Sequence, residues 1–227
     1  MSKGFKYIVI AIFVELQVIL ILLFFYSNKI SNLDNKIRNT NIFISEIFRN
    51  KKIEELTIID KDDIIIGAEN APSTIIYYSK YDCPVCKNFY NTTYQKLKED
   101  YIDKGLVRFV YRFLINPQND LAAQSVLAGK FLYDNNSFEI YNDGIYSLNN
   151  NEFDSLAIIN LVNKINGGAI DYDDFDSAYY KQIIKLKTTQ ALSIGITKTP
   201  TFIINGELLE GNRSYENIST KLNSSIK

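Results

Sequence analysis

The chain has 227 residues, a formal net charge of -1, two cysteines and no histidine. Without histidine there is no Ser-His-Asp or Cys-His catalysis and no histidine-ligated metal site, and two cysteines make neither a four-cysteine zinc ribbon nor a multiply stapled scaffold. A sequence pI near 5.6 leaves no excess positive charge to hold nucleic acid, and no basic stripe runs through the chain.

In chain order, Tyr7 to Tyr26 is a run of about 20 mostly apolar residues, the length that crosses a bilayer. Leucine, isoleucine, valine and phenylalanine outweigh the polar Glu15 and Gln17 on an insertion scale. Ser27, Asn28 and Lys29 offer no small-residue cleavage site, so residues 1–28 read as an uncleaved single-pass anchor rather than a removed signal peptide. Glu15 either meets a polar partner in the membrane or is carried there protonated. Lys3 and Lys6 on one side face Lys29, Lys36 and Arg38 on the other, so flanking charge does not decide topology.

Residues 29–55 read as a helical stalk or linker. Ile30, Leu33, Ile37, Ile44 and Ile47, with Thr40 filling the gap, recur at threes and fours. Two explanations are open: a short coiled coil joining copies, or packing of Phe43, Ile47 and Phe48 onto the following domain. Charged Lys51, Lys52, Glu54 and Glu55 mark the boundary.

From residue 56 to the C-terminus the chain is long enough for one domain with its own core. Leu56 to Ile59 and Ile64 to Ile66 are β-like, and Gly67, Asn70 and Pro72 turn the chain into a buried strand over Ser73 to Ser79. Asp82 and Cys83 end that strand, and Pro84 suits the first position of a helix. Cys83 is thereby placed at a helix N-terminus, where free backbone N–H groups and the helix dipole favour a thiolate. Cys86 lies one turn deeper, within disulfide reach. The helix carries Phe89, Thr93, Leu97 and Tyr101 on one face and stops at Gly105. Leu106 to Ile115 is a second strand, ended by Asn116 and Pro117, and the resulting βαβ unit requires its two strands to be parallel.

Residues of about 118–195 contain little strand signal and read as a helical insertion, with helices over Asp120 to Tyr133, Ser137 to Ser147, Phe153 to Ile165 and Phe175 to Ile194. Thr201 to Asn205, a turn at Gly206 and Glu207 to Leu209 form a hairpin. A last amphipathic helix follows Asn212, with Tyr215, Ile218 and Leu222 on one face. Pro200, unable to donate to a sheet ladder, belongs at an edge or exposed corner.

The segments Gly67 to Phe89, GAENAPSTIIYYSKYDCPVCKNF, and Gly195 to Gly211, GITKTPTFIINGELLEG, resemble the DsbA-like thioredoxin-fold disulfide oxidoreductases, and the order of elements agrees from roughly Asp60 onward. The resemblance implies an α/β fold: a thioredoxin fold with a helical insertion between the βαβ half and the C-terminal ββα half. It implies catalysis by Cys83 and Cys86 around the dipeptide Pro84-Val85, a cis bond at Pro200, and presentation of the Thr199 backbone to an extended client in the manner of strand addition. It implies no cofactor and no metal, reduced client proteins as partners, and a quinone-linked membrane protein as reoxidant. Disulfide exchange of this kind works where disulfides persist, which puts the domain on the extracytoplasmic or periplasmic side of the inner membrane.

Three departures bear on direction. Val85 stands where many members carry His or Tyr, Ile76 and Tyr77 stand where a buried acid is common, and Lys198 stands where a small residue is usual. Lys198, if aimed at Cys83, lowers its pKa by charge. The leading expectation is a thiol–disulfide oxidase of extracytoplasmic clients. The rivals are an oligomeric isomerase or reductase joined through the 30–50 stalk, a non-catalytic binding or metal-handling module, and a purely structural disulfide.

Overall fold

The β-branched and aromatic runs assemble into a five-stranded sheet in the order β1-β3-β2-β4-β5, with β1 at Ile64–Ile66, β2 at Ser73–Ser79, β3 at Val107–Phe113, β4 at Thr201–Ile204 and β5 at Glu207–Glu210. The structure is a computed structural model describing residues 3–115, 120–149 and 151–226. As the βαβ reading requires, β2 and β3 are parallel, with Ser73 opposite Val107 and Ser79 opposite Phe113, while β1 and β4 run antiparallel to their neighbours. Asn205 and Gly206 take φ values of 48° and 88° between β4 and β5, the left-handed pair that a two-residue Asn-Gly hairpin turn demands.

Side-chain alternation along the strands divides the core between two faces. Ile75, Tyr77, Phe109 and Tyr111 face the helix that follows the cysteines and the helices of the insertion. Ile76, Tyr78 and Val110 face the other way, onto Ile53, Leu56, Ala191, Ile194 and Ile196.

Four insertion helices occupy Asp120–Asp134, Phe138–Ser147, Ser155–Asn166 and Ala178–Ser193, and the C-terminal helix is Tyr215–Asn223. The helix expected over Phe175 to Ile194 is found as Ala178–Ser193, starting three residues later than expected. A short turn, Tyr172–Phe175, is closed by Asp176 at ψ 74°, and Ser177 restarts the chain by accepting a hydrogen bond from the Tyr180 N–H. Asn116, Pro117 and residue 118, where strand end and insertion start were expected, lie outside the described residues.

The helix beginning at Pro84 continues to Ile102 through two π-helical stretches, Tyr90–Tyr94 and Lys98–Ile102. Phe89, Thr93, Leu97 and Tyr101 are all buried. A strict four-residue spacing drifts by about 40° per step around an α-helix of 3.6 residues per turn. The wider π turns reduce that drift, and all four side chains stay buried, Phe89 against Tyr77 and Phe202 of the sheet and Tyr101 against Tyr215 of the C-terminal helix.

The N-terminal helix runs unbroken over Lys3–Leu56, 54 residues, and is long and apolar enough to cross a membrane. The chain separates into two compact units, Met1–Lys51 and Lys52–Lys227. The strand expected over Leu56 to Ile59 is absent: Ile53 and Leu56, three apart on the helix's last turn, are buried in the second unit's core, and the chain leaves the helix at Thr57. That burial decides a stretch whose composition suits a strand equally well.

Candidate active site

The site is built where β2 ends and the next helix begins. Cys83 is the N-cap of the helix Pro84–Phe89, at φ -97° and ψ 112°, with Pro84 in the first turn where no N–H is required. Its Sγ accepts the Cys86 N–H at 3.3 Å, and its carbonyl accepts the Lys87 N–H at 3.0 Å. Lys87 in turn donates through Nζ to the Leu148 carbonyl, tying this turn to the insertion. Both cysteines are free thiols; Cys83 is half-buried and Cys86 fully buried.

From across the sheet, the loop before β4 reaches the same point. The Thr199–Pro200 bond is cis, and the Thr199 carbonyl lies 3.6 Å from Cys83 Sγ as acceptor of its thiol proton. Pro200 is buried rather than exposed, and β4 is an interior strand, contrary to the edge position expected for a proline at a strand head. The reason is that Pro200 lies just outside the β2–β4 ladder, which begins at Thr201 opposite Tyr78. Its carbonyl accepts the Gly211 N–H at 2.9 Å, so no ladder donor is missing.

The two thiols are driven apart in acidity. The Cys83 pKa is lowered from 9.0 to about 5, first by a hydrogen bond with the Cys86 thiol, against an opposing contribution from burial. The Thr199 side chain and the backbone N–H groups of Cys86 and Val85 add to the lowering. Burial pushes the Cys86 thiol up, and the neighbouring Cys83 pushes it further. The Val85 side chain is apolar and 43 % exposed; its contribution is made by its backbone. Lys198 is exposed, its carbonyl accepting from Thr201 Oγ1 at 2.7 Å, and the groups that lower the Cys83 pKa are hydrogen-bond donors rather than that ammonium.

A tyrosine floor lies under Cys86. Tyr77 and Tyr146 are electrostatic neighbours of its thiol. Tyr146 shares a 2.8 Å hydrogen bond with Ser79 Oγ and stacks on Tyr90 at 4.6 Å, while Tyr81 donates to Asn142 Oδ1 at 2.9 Å. Sequence reading places Tyr77 on its strand but does not identify this floor. The available signal is Phe138, Tyr141, Ile145 and Tyr146 on one helical face, all buried.

A thioredoxin family model matches residues 60–224. The chain belongs to the thioredoxin family. The chain is similar to the probable disulfide bond formation protein D of Bacillus anthracis, at 27% identity over 174 residues, 71% of this chain and 77% of the relative. Two solved structures share the fold. The alpha-DsbA1 of Wolbachia pipientis has a TM-score of 0.66 at 18% identity, covering 76% of this chain and 94% of that one. BdbD from Bacillus subtilis has 0.62 at 19%, covering 73% and 94%. Within the thioredoxin family this is a DsbA-like thiol–disulfide oxidoreductase.

The acidity of Cys83 has a direct optical test. Thiolate absorbance of the reduced chain should develop with a midpoint of about 5. In Cys86→Ala, which removes the first-named contribution, the midpoint should move up toward 9.0. A midpoint unchanged by that substitution would assign the lowering to Thr199 and the backbone donors.

Proposed function

We propose that this oxidoreductase works as a membrane-anchored oxidase of extracytoplasmic client proteins, with Cys83 as the exchanging sulfur and Cys86 as its buried partner. The observation that carries the direction is the lowered Cys83 pKa beside a buried, strongly protonated Cys86. A stabilised thiolate is a good leaving group and favours the reduced enzyme, which makes the disulfide form an oxidant.

In the reaction, a client thiolate attacks Cys83 Sγ of the Cys83–Cys86 disulfide, the S–S bond breaks, and its electron pair goes to Cys86, which takes up a proton. A second client thiolate then attacks the client sulfur of the mixed disulfide, and Cys83 leaves as thiolate. Client dithiol and enzyme disulfide thus become client disulfide and enzyme dithiol. The Thr199 carbonyl, beside Cys83, is the acceptor that an extended client backbone would meet. Turnover requires removal of two electrons from the dithiol, the task of the quinone-linked membrane protein that the resemblance implies.

The apolar helix ahead of the domain supports the anchor, and a disulfide oxidase supports the extracytoplasmic side. With no other oxidant present, the oxidised full chain in detergent should form one disulfide per enzyme molecule in a reduced two-thiol peptide, counted by free-thiol titration and mass. An enzyme disulfide that persists in the presence of excess reduced peptide would overturn the oxidase reading.

A further inference from the structure

The segment from Lys29 to Asn50 is helical throughout, and its apolar side chains Ile30, Leu33, Ile37, Phe43, Ile44, Ile47 and Phe48 are exposed. Among the described residues of the unit Met1–Lys51 there is no second element to cover them. Their arrangement is a heptad, with Ile30, Ile37 and Ile44 at a and Leu33, Thr40 and Ile47 at d. The pattern ends with Lys51 and Glu54 at the next a and d positions. At that point Ile53 and Leu56 leave the stripe for the core of the second unit. The repeat therefore lies wholly within the unit Met1–Lys51.

The flanking positions identify the occupant of this face. In a parallel pair, the g residue of one chain meets the e residue five positions later in the other. That rule brings Lys29 to Asp34 of the second copy and Phe43 to Phe48 of the second copy, each twice by symmetry. The first contact is of opposite charge and the second is aromatic on aromatic. Positions b, c and f are polar at Ser31, Asn32, Asn35, Arg38, Asn39, Ser45, Glu46 and Arg49, with Ile42 the exception. Asp34 also lies 3.7 Å from Arg38 of its own helix, a solvated i,i+4 pair that leaves it facing the e side.

We propose that residues 29–50 form a two-stranded parallel coiled coil with a second copy of this chain, so that the oxidoreductase is a dimer joined at its stalk. Isoleucine at all three a positions with leucine at the first d position, Leu33, is the two-stranded combination, and the polar Thr40 breaks the all-isoleucine layering that higher oligomers favour. The parallel sense rests on the anchor reading, because two stalks leaving one membrane must point the same way.

The test is the mass of the full chain in detergent micelles, by sedimentation with the detergent contribution subtracted. Wild type should be a dimer. Ile37→Asp/Ile44→Asp should be monomeric, its dissociation constant raised more than about a hundredfold, because four buried isoleucines per dimer are replaced by charge. Lys29→Glu, which sets like charges across the interface, should weaken the dimer roughly severalfold, and Lys29→Glu/Asp34→Lys should restore it. A monomeric wild type, three or more chains per particle, or a dimer untouched by Ile37→Asp/Ile44→Asp would overturn the proposal. The peptide-oxidation assay on the same variants and alkaline extraction of membranes report on catalysis and anchoring separately, so failure of either leaves a distinct mark.

Discussion

Replacing Cys83 by alanine should reduce peptide oxidation to the uncatalysed background and leave no mixed disulfide on the enzyme. Cys86→Ala should lose net oxidation equally but accumulate a mixed disulfide. The asymmetry follows from burial and acidity. Cys83 is half-exposed, caps its helix and is a thiolate at neutral pH, whereas Cys86 is fully buried on tyrosine rings and remains a thiol. When Cys83 is the only cysteine, it still attacks a disulfide peptide and is then held, since the intramolecular thiol that would release it is gone. When Cys86 is the only remaining sulfur, it has neither the charge nor the access to begin. A non-reducing gel of each variant after incubation with an oxidised peptide separates the cases: an adduct band for Cys86→Ala and none for Cys83→Ala. Adducts in both variants would mean that the buried thiol reaches clients directly, and the assignment of roles would fall.

Much of this site could be read from residue types because the chemistry is local. Pro84 fixes the helix start, so Cys83 as N-cap follows from three consecutive residues, and the Asn-Gly turn likewise fixes the β4–β5 hairpin. Three things were not legible, each for its own reason. The Val85 side chain suggests that nothing supports the thiolate there, yet the support comes from a backbone N–H that any residue would supply. Leu56 to Ile59 has strand composition, but Ile53 and Leu56 are claimed as a helical pair by the sheet's second face. The helix start at Ala178 rather than Phe175 depends on one backbone angle, at Asp176, and a serine cap, signals too local to show in an otherwise helical run. In each case tertiary contact or backbone geometry outweighs what side-chain composition can express.

The same limit hid the ion pair on which the domain's entry depends, and its removal should be the largest stability change short of disrupting the core. Arg112 on β3 points away from the cysteines and is nearly sealed from water. It donates to both carboxylate oxygens of Asp63 at 2.8 Å, to the Leu56 carbonyl at 2.6 Å and to the Ile58 carbonyl at 2.8 Å. Lys187 reaches Asp63 from the insertion at 2.7 Å. One guanidinium thereby fastens the segment leaving the N-terminal helix to the middle of the sheet. Arg112→Met removes those donors and leaves two backbone carbonyls and part of a buried carboxylate unpaired, so the expected loss is about 3–5 kcal/mol, or roughly 6–20 °C in Tm. Burial raises the Asp63 pKa, but Arg112 and then Lys187 outweigh it and hold the carboxyl below the ordinary 3.8. A carboxylate favoured by the fold contributes its full stability above the unfolded value and loses it as pH falls through the lower folded value. Wild-type Tm should therefore fall below about pH 4 more steeply than that of Asp63→Asn, which has no proton to take up there. Equal acid slopes for the two proteins, or an Arg112→Met variant as stable as wild type, would show that the segment is held by Ile53 and Leu56 alone.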